Sequence, residues 1–202
     1  MVHVVDDDDS LREALAGMLR AAGYEVQAYA SAGDFLLHDV AGLGGCLLLD
    51  LRLQGPSGLD LQAALIRRAC TIPIVFMTAH GDIATSVSAM KAGAVDFLVK
   101  PVERGPLLAA VRAALAREAA QAATDHRLAD LRMRYASLSA REREVLEGVV
   151  TGKLNKQIAS DIGIAERTVK AHRAHLMEKL GADSPAVLGR IVEQLQISPP
   201  PR

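Results

Sequence analysis

Apolar and polar positions follow two different periods along this chain. Up to about residue 118, short apolar runs stand between stretches whose apolar residues recur every three or four positions; beyond residue 137 only the second period persists. The runs are Val2 to Val5, Glu25 to Tyr29, Cys46 to Leu49 closing on Asp50, Pro73 to Met77, and Val95 to Val99. Between them the spacing predicts helices. One follows Asp6-Asp7-Asp8-Asp9, with Ser10 and Glu13 at capping-box spacing and Leu11, Leu15, Met18, Leu19 and Ala22 at helical period. A short one follows Tyr29, another spans Leu59 to Ala69, and one of about ten residues carries Val87 and Met90 to Gly93. Strand and helix alternate five times, which predicts an α/β unit: a doubly wound, five-stranded parallel sheet with right-handed crossovers.

The remainder reads as all-α. Residues 103 to about 137 begin as an amphipathic helix (Leu107, Leu108, Val111, Leu115) and turn Ala-rich and charged without a break, so a semi-rigid helical linker is expected. Leu128, Leu131, Tyr135 and Leu138 are spaced like a coiled-coil seam but span little more than one heptad, which favours packing against a domain. Four short helices follow: Ala140 to Thr151, one N-capped by Asn155 and stopped by Gly163, Glu166 to Leu180, and Ser184 to Gln196. The second and third, joined by a tight Gly-containing turn, predict a helix-turn-helix. The expected organisation is 1–118, a linker over 119–137, and 138–198.

Composition adds little. Half of the 202 residues are hydrophobic, which excludes wholesale disorder. Residues 1–117 hold ten basic and thirteen acidic side chains and the rest thirteen and eleven, so a cation site followed by a polyanion partner is the direction of the hint. Cys46 and Cys70 have no metal-ligand spacing and read as core residues. No apolar run approaches the ~18 residues of a membrane span, and the early acidic cluster is unlike a signal peptide. A cytoplasmic protein with no membrane partner is expected.

The chemistry lies at the strand ends. Asp6/Asp7, Asp50, Thr78 and Lys100 each follow an apolar run, and parallel sheets place ligands at that edge. Clustered carboxylates are hard ligands for Mg²⁺, which favours one or two carboxylates together with phosphate oxygens. With charge neutralised by metal and Lys100, Asp50 can act as a carboxylate nucleophile toward a phosphoryl group, while Thr78 offers it a hydroxyl. Helix-dipole stabilisation is the plainer account of some of these acids, Asp8 and Asp9 above all. Lys100-Pro101 is a candidate cis bond.

In the third C-terminal helix Val169, His172, Leu176 and Leu180 form one face, and Arg167, Lys170, Ala171, Ala174 and Glu178 point away. Short side chains at 171 and 174 allow close approach to a major groove, Lys170 and Arg167 can reach phosphates or guanine edges, and His175 is placed for phosphate. His172 reads as a packing residue.

Val4-Val5-Asp6-Asp7, Leu48-Leu49-Asp50, Met77-Thr78-Ala79 and Lys91-Ala92-Gly93-Ala94 with Phe97-Leu98-Val99-Lys100-Pro101 closely resemble the receiver domain of two-component response regulators, a flavodoxin-like fold. The resemblance implies that Asp50 takes a phosphoryl group from a sensor histidine kinase. It also implies that Asp7, Asp50 and the Arg52 carbonyl hold Mg²⁺, with Asp6 assisting through water, and that Thr78 and Phe97 form a switch pair. One departure is visible: such domains commonly carry Met-Pro after the phosphorylated Asp, and here the stretch is Leu53-Gln54-Gly55-Pro56. Arg52 and His80 are read as tuning phosphoryl hydrolysis.

Ser139 to Leu146, Asn155-Lys156-Gln157-Ile158-Ala159 and Thr168-Val169-Lys170-Ala171-His172, ending in Lys179-Leu180, resemble the LuxR-type helix-turn-helix, and the pairing resembles the NarL/FixJ class of response regulators. This implies base contacts from Lys170, Ala171 and Ala174, and backbone contacts from Lys156, Thr168 and Lys179. It implies a transcription factor rather than an enzyme, a homodimer formed on phosphorylation through the face around Val87 to Val99, promoter DNA as ligand and RNA polymerase as partner. Two rivals stand beside it. One is an aspartyl-phosphate phosphatase of the haloacid-dehalogenase type with its nucleophile in Asp6-Asp7-Asp8, which wants a further acidic motif after Lys100 where only Glu103 stands. The other is a DNA-binding protein whose receiver fold ignores phosphate.

Overall fold

The computed structural model describes residues 1–38, 42–79, 87 and 89–197. Five strands, β1 (Val2–Val5), β2 (Val26–Tyr29), β3 (Cys46–Asp50), β4 (Ile74–Thr78) and β5 (Asp96–Val99), form an all-parallel sheet in the order β2-β1-β3-β4-β5. Helices α1 (Asp9–Ala21), α2 (Ala32–Leu36) and α3 (Gly58–Arg67) connect the first four. His80 and most of the helix expected before Gly93 lie outside the described residues; Val87 and residues 89–91 are helical.

Both faces of the sheet are covered, which is why β3 and β4 read as unbroken apolar runs. Along β3 the side chains alternate: Leu47 and Leu49 join Phe35, Leu61, Leu65 and Phe76 on one face, and Cys46 and Leu48 join Leu15, Leu19, Leu107 and Val111 on the other. Burial pushes the Cys46 thiol up to about 12, so it stays protonated and behaves as a core residue. His3 is equally buried, its ring between the Tyr29 hydroxyl (3.2 Å) and the Gly44 carbonyl (3.3 Å). Strand order reverses direction between β1 and β3, and the crevice at the carboxyl ends of such strands is where these sheets bind ligands.

The first helix starts two residues earlier than the Ser10/Glu13 spacing predicts. Asp8 is its N-cap, accepting the Leu11 N–H at 3.1 Å, because a carboxylate at a helix N-terminus caps and also meets the positive end of the dipole.

Helix α4 (Arg104–Ala136) runs unbroken for 33 residues. The chain divides within it into compact units Met1–Gln121 and Ala122–Arg202. Leu107, Ala110, Val111 and Ala114 pack in the first unit, and Leu131 and Leu138 in the second, so the 128–138 spacing marks packing on the C-terminal core. That core is completed by α5 (Ala140–Val150), α6 (Asn155–Ile162), α7 (Glu166–Leu180) and α8 (Pro185–Gln194). Gly148 lets α5 and α6 touch: a Cβ there would lie 2.6 Å from Ile158 Cγ1.

Asn155 is the first residue of α6 and not its N-cap, a position that Leu154 takes. The Gln157 side chain reaches back to the Leu154 N–H at 2.8 Å, which satisfies one orphan donor, and Asn155 Oδ1 instead accepts from Arg173 of α7 at 3.0 Å. Gly163, left-handed at φ 68°, turns the chain from α6 into α7.

Candidate functional site

The carboxyl edge of the sheet gathers the strand-end residues. Asp6 follows β1, Asp50 ends β3, Thr78 ends β4 and Lys100 follows β5; register places Val5 beside Leu49, Asp50 beside Met77 and Thr78 beside Val99. The Lys100-Pro101 bond is cis. Lys100 Nζ donates to Asp50 Oδ2 at 2.7 Å and to Asp6 Oδ2 at 2.9 Å, a cation bridging two carboxylates that would otherwise repel. Asp6, Asp50 and Thr78 are all buried.

Burial sets the electrostatics. Desolvation raises the Asp50 pKa, against the lowering by the Lys100 ammonium and the Arg52 N–H, and the Asp6 charge adds to the rise. Desolvation pulls Lys100 down, but its bonds to Asp50 and Asp6 together outweigh this and leave it above its ordinary value. The pocket thus holds a charged lysine against two acids from which water has been largely removed.

Asp7 is half-buried beside them, and one carboxylate oxygen from each of Asp6, Asp7 and Asp50 lies within 4.8 Å of the others. Three hard oxygen donors at this spacing fit a divalent cation of the Mg²⁺ type. Each carboxylate is also held by a backbone N–H: Asp6 Oδ1 by Asp8 (3.0 Å), Asp50 Oδ1 by Arg52 (3.1 Å) and Asp7 Oδ2 by Gln54 (3.0 Å). The Thr78 hydroxyl donates to the Ala79 carbonyl at 3.1 Å, and the Phe97 ring on the neighbouring strand is 41% exposed, so it stands outside the core.

Two supports of this pocket escape sequence reading. Arg12 Nη1 donates to the Asp6 carbonyl at 2.7 Å and its Nη2 pairs with Asp9, clasping the β1–α1 turn; only the i, i+3 relation to Asp9 could have suggested it. The second is the Gln54 N–H, and backbone donors leave no mark in a sequence.

In the C-terminal unit, α7 presents Arg167, Lys170, Ala171, Ala174 and His175 to solvent, with Thr168 half-buried and Lys156 exposed on α6. Val169, Leu176 and Leu180 are buried and His172 is half-buried on that side. The expected division of the helix into a core face and an outward face is therefore present. Lys170 pairs with Glu166 at 3.3 Å. Lys179 is engaged inward: its ammonium donates to buried Glu142 at 2.7 Å and approaches the Ser137 carbonyl at 3.4 Å. That pair ties the last turn of α7 to the first turn of α5, and its 37-residue separation hides it from spacing analysis.

Among the described residues no helix is long and apolar enough to cross a membrane. Residues 2–112 match the family model for the response regulator receiver domain, and residues 136–199 that for bacterial regulatory proteins of the luxR family. The chain is 46% identical to nodulation protein W of Bradyrhizobium diazoefficiens over 98% of its own length and 87% of the relative's. It is 43% identical to the transcriptional regulatory protein FixJ of Azorhizobium caulinodans over 98% and 94%. The solved structure of the response regulator StyR is 47% identical, covers 96% of this chain and 98% of its own, and superposes with a TM-score of 0.84. The receiver sheet, its acidic crevice and the helix-turn-helix unit together place this chain among the response regulator transcription factors that join a receiver domain to a LuxR-type DNA-binding domain.

Proposed function

We propose that Asp50 is the phosphoacceptor of this regulator and that its phosphorylation, by a sensor histidine kinase, brings two chains together on promoter DNA. The observation that carries the reading is the pair of bonds from Lys100 to Asp50 and Asp6, with Asp7 alongside. The Asp50 carboxylate attacks the phosphorus of a phosphohistidine; the O–P bond forms as the P–N bond breaks, the electron pair goes to the departing ring nitrogen, and a proton taken up from solvent leaves the imidazole neutral. Asp7, Asp50 and the Arg52 carbonyl would hold Mg²⁺, with Asp6 acting through water, and the ion would supply neutralising charge for the incoming phosphoryl oxygens.

Lys100 then exchanges one carboxylate for a phosphoryl oxygen, a charge-assisted bond of the same kind. The Thr78 hydroxyl leaves the Ala79 carbonyl for a second phosphoryl oxygen, and the exposed Phe97 ring turns into the space this opens. Val87, Met90 and Val99, exposed large apolar residues, form the dimerising face. Each output unit uses Lys170, Ala171 and Ala174 toward bases and Lys156, Arg167, Thr168, His175 and Lys179 toward the backbone, for which Lys179 would have to share its ammonium with Glu142. Paired half-sites follow from the two-fold symmetry of a dimer. Residues 1–118 are assigned to the receiver, 119–137 to the linker and 138–198 to the DNA-binding domain. Work on promoters implies the cytoplasm and RNA polymerase as a further partner.

Incubation with Mg²⁺ and acetyl phosphate, with intact mass and oligomeric state read together, tests this. Wild type gains the mass of one phosphoryl group and dimerises, and Asp50→Asn does neither. An equal gain on the variant removes Asp50 as acceptor.

A further inference from the structure

The three carboxylates of the crevice are not held alike. Asp6 and Asp50 take their N–H donors from two residues along their own turn, at Asp8 and Arg52. Such bonds form wherever the local turn forms. Asp7 takes its donor from a different loop, 47 residues on: the Gln54 N–H, 3.0 Å from Oδ2. Gln54 lies in the Leu53-Gln54-Gly55-Pro56 stretch, where the chain departs from the Met-Pro common in such loops, and a proline at 54 would carry no N–H.

We propose that Gln54 is a positioning residue for the divalent cation: its backbone amide fixes Asp7, so this chain's Mg²⁺ affinity depends on the path of the β3–α3 loop. This rests on the reading of Asp7 as a Mg²⁺ ligand. A carboxylate has two oxygens, and an N–H on Oδ2 leaves the other for the ion. Asp7 is only half-buried, so without the clasp its side chain is free to rotate toward water and leave a two-acid site. Hydrogen bonds to metal-ligating groups of this kind are typically worth about 10- to 100-fold in affinity. The Gln54 side chain is not what matters; the amide is.

Calorimetric titration of MgCl₂ into the full-length chain at constant ionic strength, for wild type, Gln54→Ala and Gln54→Pro, separates the two. Melting in EDTA serves as the fold control. Gln54→Ala keeps the N–H and binds like wild type, whereas Gln54→Pro binds about tenfold more weakly with an unchanged EDTA melt. Equal affinity in all three chains, or equal weakening in both variants, overturns the proposal. If wild type shows no saturable binding, the Mg²⁺ reading itself fails, a different result from intact binding indifferent to Gln54→Pro. Should Gln54→Pro lower the EDTA melt, the Gln54 amide of wild type decides by NMR. Slow hydrogen exchange and a resonance shift that saturates with the calorimetric Kd support the proposal; fast exchange and no shift overturn it.

Discussion

Gly58 governs how closely α3 approaches the strand that ends in Asp50. A Cβ at this position would lie 2.4 Å from the Asp50 carbonyl oxygen and 3.1 Å from Leu51 Cα, and both neighbours are backbone that cannot rotate away. Its N–H also donates to the Leu51 carbonyl at 3.1 Å, so the contact is built in and not incidental. Gly58→Ala must displace either α3 or the end of β3. Overpacking of this sort costs about 1–3 kcal/mol, and the end of β3 is Asp50, the proposed phosphoacceptor. The expected outcome is a lower urea midpoint together with slower labelling by acetyl phosphate, and a variant with wild-type midpoint and rate would show that the backbone there yields freely. At this scale the sequence is readable where a side chain does the work: Asp50, Thr78 and Lys100 each terminate an apolar run. It is silent where backbone does the work, as with the Gln54 amide, or where the absence of a side chain does, as at Gly58 and Gly148.

Among the elements, α7 is anchored by charge as well as by its apolar face. Glu142 caps α5 through the Ser139 N–H (2.7 Å) and receives Lys179 from the end of α7. The Lys179 bond, and after it the Ser139 N–H, lowers the Glu142 carboxyl from 4.5 to about 2. A carboxylate whose folded pKa is depressed stabilises the fold above its unfolded value, and that contribution fades as pH falls through 4.5 toward 2. Glu142→Gln therefore costs the C-terminal unit about 2 kcal/mol at pH 7, and the gap to wild type narrows between pH 5 and pH 3. Urea unfolding followed through NMR signals of residues 138–197 measures it; a gap that is constant with pH would mean that Glu142 packs without using its charge. The helices themselves were legible from their three-four period, and α7 spans the expected Glu166 to Leu180. Their starts were less so, because several acids compete to cap α1 and because Asn155, a good cap by type, is drawn to Arg173 on another helix.

For the whole molecule, the two cores of the sheet unit follow from a sequence in which the runs of β1, β3 and β4 are buried on both faces, while β2 and β5 stand at the edges and are largely exposed. The division into a sheet unit and a helical unit shows as a change of period, even though α4 crosses it without a break in the chain's helical pattern. What spacing does not carry is long-range pairing away from the strand ends, such as Lys179 with Glu142, whose partners stand 37 residues apart. Chemistry at Asp50 is proposed to govern DNA recognition by the other unit. The most direct test is selection of fragments from sheared genomic DNA of the source organism by wild type and Asp50→Asn, each with and without acetyl phosphate and Mg²⁺. A discrete set of promoter fragments with paired half-sites is expected, enriched by wild type with the phosphodonor and by no other combination. Enrichment of the same fragments by Asp50→Asn, or by wild type regardless of the phosphodonor, would contradict it and leave a DNA-binding protein that does not respond to phosphate.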